Sequence, residues 1–121
     1  MENPERNVVV QKTFLFALAI IEFTEHLEAA KKFVIANQIL RSGTSIGANV
    51  REAQNASSKR DFLNRMKIAL REAEETEYWL LLCKESKNYP KAPNLFEDLK
   101  TILKLINKIV QTTNASIIEN S

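Results

Sequence analysis

The segment Leu40-Arg41-Ser42-Gly43-Thr44-Ser45-Ile46-Gly47-Ala48-Asn49-Val50 holds both glycines of the 121-residue chain, and helix-like sequence flanks it on either side. A glycine inside a helix costs about 1 kcal/mol relative to alanine. Gly43 and Gly47 are four residues apart, so on a helix they lie on one face, one turn above the other. With Ala36 they form a groove without side chains. We therefore predict a helix-packing surface that another backbone can approach closely.

The composition favours long helices. The chain has two glycines and three prolines, fewer turn residues than a β-rich domain needs. Its hydrophobic fraction of 45% and charged fraction of 26% are those of an ordinary soluble protein. The length predicts one domain, residues 1–121.

Apolar residues recur at helical spacing in four segments. In the first, the core row is Val9, Phe16, Ile20, Phe23 and Leu27. We predict helices over residues of about 5–29, 32–55, 59–87 and 95–118, joined by short connections. Such a pattern is typical of an all-α, up-down-up-down antiparallel four-helix bundle.

Two helix starts resemble capping boxes, in which a small polar side chain is followed three residues later by an acid. Ser58 with Asp61 opens the third helix, and Asn94 with Glu97 opens the fourth. The turn between the first two helices is poorly marked, because residues 28–32 contain neither glycine nor proline.

The first and fourth helices carry more apolar surface than a lone bundle buries. In the first helix Val10, Phe14, Leu18 and Ile21 form a second row beside the core row. A stripe that wide exceeds what a surface helix packs against its own chain. We therefore predict lateral self-association into a homo-oligomeric barrel.

Positive charge is concentrated in the middle of the chain. The net charge is +2 overall, but −3 for residues 1–30, +7 for residues 31–71 and −2 for residues 72–121. Such a segment can bind the phosphates of RNA or DNA. Alternatively, the bases lie on solvated helix faces and pair with acids of the same chain, such as Glu52 and Glu72. The candidate nucleic-acid-binding residues are Arg41, Arg51, Lys59, Arg60, Arg65, Lys67 and Arg71.

No pattern of catalytic residues stands out, and we expect a protein that is not an enzyme and has no cofactor or metal. His26 lies one turn from Glu22. A di-metal centre in a helix bundle, however, needs more than one histidine, and His26 is the single histidine of the sequence. The hydroxyls beside the glycines lack a P-loop lysine. Glu75, near Tyr78 and Trp79, is instead positioned to form a salt bridge to Arg41.

The chain carries the features of a cytoplasmic protein. Its single cysteine, Cys83, excludes an internal disulfide and fits a reducing compartment. We expect no signal peptide. The longest apolar run, residues 14–21, has eight residues, against roughly 20 needed to span a bilayer.

Several motifs resemble those of a known family. They are Arg41-Ser42-Gly43-Thr44-Ser45-Ile46-Gly47-Ala48-Asn49, Glu52-Ala53, Asp61-Phe62, Met66, residues 68–73 and Glu75-Thr76-Glu77-Tyr78-Trp79-Leu80. Together they closely resemble small bacterial four-helix bundle proteins related to ribosomal RNA intervening-sequence proteins. The same family includes the accessory variability protein of diversity-generating retroelements. The resemblance extends from about Phe14 into the fourth helix.

The resemblance implies a homopentameric barrel of antiparallel bundles. It also implies, for the retroelement branch, a basic surface that binds RNA or DNA and a partner reverse transcriptase. We therefore expect a non-catalytic accessory or assembly protein. The alternative is a purely structural protein–protein scaffold without nucleic-acid binding, and the salt dependence of binding distinguishes the two.

Overall fold

The computed structural model describes residues 4–120, which form four α-helices and no strands. The helices are α1 (Pro4–Ala29), α2 (Phe33–Ala53), α3 (Lys59–Glu85) and α4 (Pro93–Glu119). Each end lies within two residues of the expected position. The prediction of an all-α fold is thus confirmed.

The helices form a square, antiparallel bundle. α1 packs against α2 and α4, and α3 packs against the same two helices. Within the described residues the backbones of the diagonal pairs, α1 with α3 and α2 with α4, do not approach each other closely. Because each connection is short, successive helices run in opposite directions.

The core lies between the four helices and follows the periodicity of the sequence. All five residues of the predicted α1 row are buried. The largest fully buried apolar side chains include Ile20, Leu27, Ile39, Ile46, Met66, Leu99 and Ile106. Ile109 of α4 is buried as well.

The two glycines pack against α1. A Cβ added to Gly43 would lie 2.9 Å from Cγ1 of Ile20, and one added to Gly47 would lie 3.2 Å from the carbonyl oxygen of Thr13. A side chain at either position would therefore push the two helices apart. Next to them, Ser42 is fully buried, and its hydroxyl accepts a hydrogen bond from the Thr76 hydroxyl of α3 at 2.9 Å.

The poorly marked turn after α1 depends on a lysine in a left-handed conformation. Lys31 has φ of 64°. The Lys32 amide donates to the Leu27 carbonyl at 2.8 Å, and the Lys31 amide donates to the Glu28 carbonyl at 2.9 Å. These two bonds define a Schellman motif, in which glycine usually occupies the left-handed position. The helix therefore ends without the glycine that would have marked it in the sequence.

The start of α3 is capped as predicted, whereas the start of α4 is not. The Ser58 hydroxyl accepts the Asp61 amide at 3.0 Å, and the Asp61 carboxylate accepts the Ser57 amide at 3.2 Å. In contrast, α4 begins at Pro93, two residues before the predicted start, and none of the described side chains caps it. The prediction that Asn94 and Glu97 form a capping box is wrong. Proline is suited to the first turn because its φ is already helical and it has no amide proton to satisfy.

The outward face of α1 is apolar and exposed. Phe14, Leu15 and Leu18 are exposed to 50%, 54% and 50%. By length and composition alone, Arg6–Ala29 would be long and apolar enough to cross a membrane, with a mean hydropathy of 1.4. One side of this helix, however, supplies the core with Val9 and Ile20. The exposed side is the part that the bundle leaves uncovered.

Candidate nucleic-acid interface

The seven predicted basic residues lie on α2 and α3, and all are exposed. Arg41 and Arg51 are on α2, and the other five are on the N-terminal half of α3. Because α2 and α3 are antiparallel neighbours, Arg51 and Lys59 lie at the same end of the bundle. The structure divides the set by the contacts that each cation makes with its own chain.

Arg41 is part of an ion-pair network between α2 and α3. Its guanidinium contacts the Glu75 carboxylate and lies 3.5 Å from Oε2 of Glu72. The indole nitrogen of Trp79 donates to the same Glu75 oxygen at 2.9 Å. The salt bridge expected between Glu75 and Arg41 therefore forms within the chain. Glu72 and Glu75 therefore offset the charge of Arg41 within the chain itself.

Three more of the predicted cations have partners. Nη1 of Arg65 lies 2.9 Å from Oε2 of Glu52, and Nε lies 4.0 Å from Oδ1 of Asp61. The guanidinium carbon of Arg51 lies 5.7 Å from the centroid of the Phe14 ring. The ammonium of Lys59 donates to the Ser116 hydroxyl of α4 at 2.5 Å. Arg65 and Arg51 thus connect α2 to its two neighbours.

Arg60, Lys67 and Arg71 remain exposed on α3 and make no ion pair with any described residue. Their spacings of seven and four residues place them on one face of the helix. Lys67 and Arg71 line a shallow groove between α3 and α4, with Val110 on the opposite side. We call Arg60, Lys67 and Arg71 the basic row of α3.

A second run of cations, on α4, was not predicted from the sequence. Lys100, Lys104 and Lys108 are four residues apart and therefore lie on one face of α4. All three are exposed, and Lys100 lies 3.7 Å from Oε2 of Glu97. Their spacing was the signal for this row, but the acids of residues 72–121 conceal it in the net charge of that segment.

The other titratable residues considered as possible sites are His26, Glu22 and Cys83. His26 and Glu22 are both exposed, and the described residues contain no group of three or more His, Cys, Asp or Glu side chains able to hold a metal ion. Burial raises the pKa of the Cys83 thiol to about 11, although the nearby charge of Lys91 lowers it slightly. A thiol with so high a pKa is a weak nucleophile at neutral pH.

Comparison with known proteins points to one family. The profile of the 23S rRNA-intervening sequence proteins matches residues 5–111. A crystal structure of a protein of unknown function from the S23 ribosomal protein family of Bacteroides thetaiotaomicron is similar, with a TM-score of 0.83 and 44% sequence identity. The similarity covers 88% of this chain and 98% of that one. No curated protein matches the chain.

Proposed function

This chain belongs to the family of 23S rRNA-intervening sequence proteins, and from that membership we propose that it is a non-catalytic, homo-oligomeric accessory protein. In this proposal it assembles into a barrel of five bundles. The basic row of α3 contacts RNA or DNA on the outside of the barrel, and the protein acts in the cytoplasm.

The observation that carries the proposal is the exposed apolar face of α1. Val8, Phe14, Leu15, Leu18 and Ile21 are all at least 41% exposed on a single helix. Soluble monomers rarely expose contiguous apolar patches larger than a few hundred Å². Association with further copies of the chain would remove this surface from water. Closed symmetric assemblies are the usual way in which soluble proteins do so.

The basic row of α3 supports the nucleic-acid part of the proposal. Arg60, Lys67 and Arg71 form no ion pair with an acid of the described chain. Repeated around a symmetric oligomer, the row would give several separated clusters of positive charge that attract a phosphate backbone. The row contains no aromatic side chain to stack on bases. We therefore expect binding through phosphates, with little dependence on sequence.

The test measures mass and nucleic-acid binding in the same sample. We expect the wild-type protein to have a mass of about five times 13.8 kDa by light scattering. We expect it to bind RNA or DNA with an affinity that falls steeply as salt rises. The double variant Arg60→Glu, Lys67→Glu should keep the mass and lose most of the binding, because it replaces two phosphate contacts with repulsion.

The matched control is Lys31→Glu, Lys87→Glu, which makes the same charge change at the opposite end of the bundle. Both lysines are exposed. Equal loss of binding in the two double variants would mean that only net charge matters and would contradict a role for the basic row. An assembled wild-type protein that binds neither RNA nor DNA would favour the protein–protein scaffold instead. Arg41 and Arg65 support that alternative, since each already pairs with acids of its own chain.

A further inference from the structure

A cavity of about 320 Å³ opens between α1, α3 and α4 at the end of the bundle where α2 turns into α3. It lies apart from the basic row of α3, none of whose members lines it. Two cations and four hydroxyl side chains contribute to its wall. They are Arg6, Lys59, Ser58, Thr112, Thr113 and Ser116. Among the described residues that line the cavity, none is acidic.

Arg6 is held in place by a hydrogen bond to Gln54 and by stacking on the ring of Phe62. Its Nε donates to Oε1 of Gln54 at 3.0 Å, and its guanidinium carbon lies 4.2 Å from the centroid of the Phe62 ring. Neither Nη nitrogen donates to an acceptor in the described part of the chain. The guanidinium is therefore fixed in position, which lowers the entropy lost when it binds a ligand.

Lys59 provides the second positive charge. Its ammonium donates to the Ser116 hydroxyl at 2.5 Å and has no carboxylate partner among the described residues. An ammonium carries three donors, so at least one further donor is available. The hydroxyls of Thr112 and Ser58 donate no hydrogen bond to the described protein. The wall thus offers donors from α1, α3 and α4.

We propose that this cavity binds the phosphate group of a phosphate ester. Arg6 would present its two Nη nitrogens to two phosphate oxygens, the bidentate geometry that guanidinium groups favour. Lys59 would neutralise the remaining charge, and the Thr112 hydroxyl would donate to a third oxygen. Donors on three helices suit a tetrahedral anion better than a planar carboxylate, which has only two oxygens. The proposal does not depend on nucleic-acid binding by the basic row.

The first probe is inorganic phosphate, titrated by calorimetry into the full-length protein. We expect saturable binding with one site per chain. Arg6→Gln and Lys59→Gln should each weaken binding by about tenfold or more, since each removes charge-assisted hydrogen bonds. The matched control, Lys87→Gln, removes one charge at the far end of the bundle and should keep wild-type affinity. Circular dichroism melting verifies that each variant is folded.

Two oligoribonucleotides of one sequence, with a 5′-phosphate or a 5′-hydroxyl, identify the source of the phosphate. Competition with inorganic phosphate by the 5′-phosphorylated strand alone would assign the site to nucleic-acid ends. Competition by neither strand, with phosphate still bound, would assign it to small phosphate esters. The proposal is overturned if phosphate shows no saturable binding at millimolar concentration. It is equally overturned if folded Arg6→Gln and Lys59→Gln bind phosphate as the wild type does.

Discussion

At the scale of single residues, the contact between Gly43 and Ile20 determines how closely α2 approaches α1. Three carbon atoms of the Ile20 side chain lie within 3.0 Å of the position that a Cβ at residue 43 would occupy. Ile20 is fully buried and β-branched, so it has few other rotamers to adopt. Close packing of the helices thus compensates for the poor helix propensity of glycine.

Gly43→Ala is therefore expected to destabilise the protein, although alanine is the better helix former. An extra methyl group packed against Ile20 should cost about 1–3 kcal/mol. The better helix propensity of alanine should recover about 1 kcal/mol of this cost. The free energy of unfolding should therefore fall by up to about 2 kcal/mol. Urea denaturation at a fixed protein concentration measures it.

An Ile20→Ala background provides the control, because that change removes all three contacting atoms. In this background Gly43→Ala should be neutral or stabilising. The same loss in both backgrounds would show that the contact with Ile20 is not the cause.

At the scale of elements, the end of α1 is set by the packing of α2 back along α1. The local sequence contains no glycine or proline that would end the helix. Lys31 is the single non-glycine residue with positive φ in the described range. The left-handed conformation costs a residue with a Cβ about 1–2 kcal/mol. A short turn is needed for α2 to run back along α1, and the left-handed residue of that turn is an exposed lysine.

Lys31→Gly is expected to raise the free energy of unfolding by about 0.5–1 kcal/mol. Glycine relieves the left-handed strain, and its greater freedom in the unfolded chain offsets part of the gain. Thermal and urea denaturation measure the change.

Ala30→Gly is the matched control, since Ala30 precedes Lys31 and does not have positive φ. It should destabilise the protein by roughly 0.4–1 kcal/mol, because glycine there adds only unfolded-state entropy. If the free energy of unfolding changed in the same direction in both variants, left-handed strain at Lys31 would not be the cause.

At the scale of the whole molecule, α1 is apolar on both sides while a single bundle covers only one of them. A helix that is hydrophobic all round is normally buried. Here Ile20 faces the core, and Leu18 is half exposed on the other side. The four-helix bundle therefore leaves apolar area of α1 exposed to solvent. In our proposal, this area drives association with further copies of the chain.

Leu18→Glu is expected to dissociate the oligomer, because a charge on the buried face of an interface is costly to desolvate. Light scattering should give a mass near 13.8 kDa for the variant and a multiple of it for the wild type. The wild-type Tm should rise with protein concentration, whereas that of the variant should not.

Val34→Glu is the control, because Val34 is 76% exposed on α2 and lies outside the α1 face. It should keep the wild-type mass. A monomeric wild-type protein, or a Leu18→Glu variant that remains assembled, would contradict the role of this face.

The four helices and most of the core could be predicted from the sequence. Apolar spacing is a local property, and in α1 it placed every residue of the core row correctly. The cap at Ser58 was equally local, since a hydroxyl and an acid three residues later suffice. The prediction failed at Asn94, where Pro93 already provides a helix start.

The candidate site was less predictable, because the availability of a cation depends on what other helices bring to it. Arg41 and Arg71 look equivalent as sequence, yet Arg41 meets Glu75 of α3, 34 residues away, and Arg71 meets no acid of the described chain. The cavity at Arg6 likewise depends on contacts between residues far apart in the sequence. Arg6 and Gln54 are 48 positions apart, and Lys59 and Ser116 are 57 positions apart. Periodicity within one helix specifies its buried face, whereas charge pairing and cavities arise from the distances between helices.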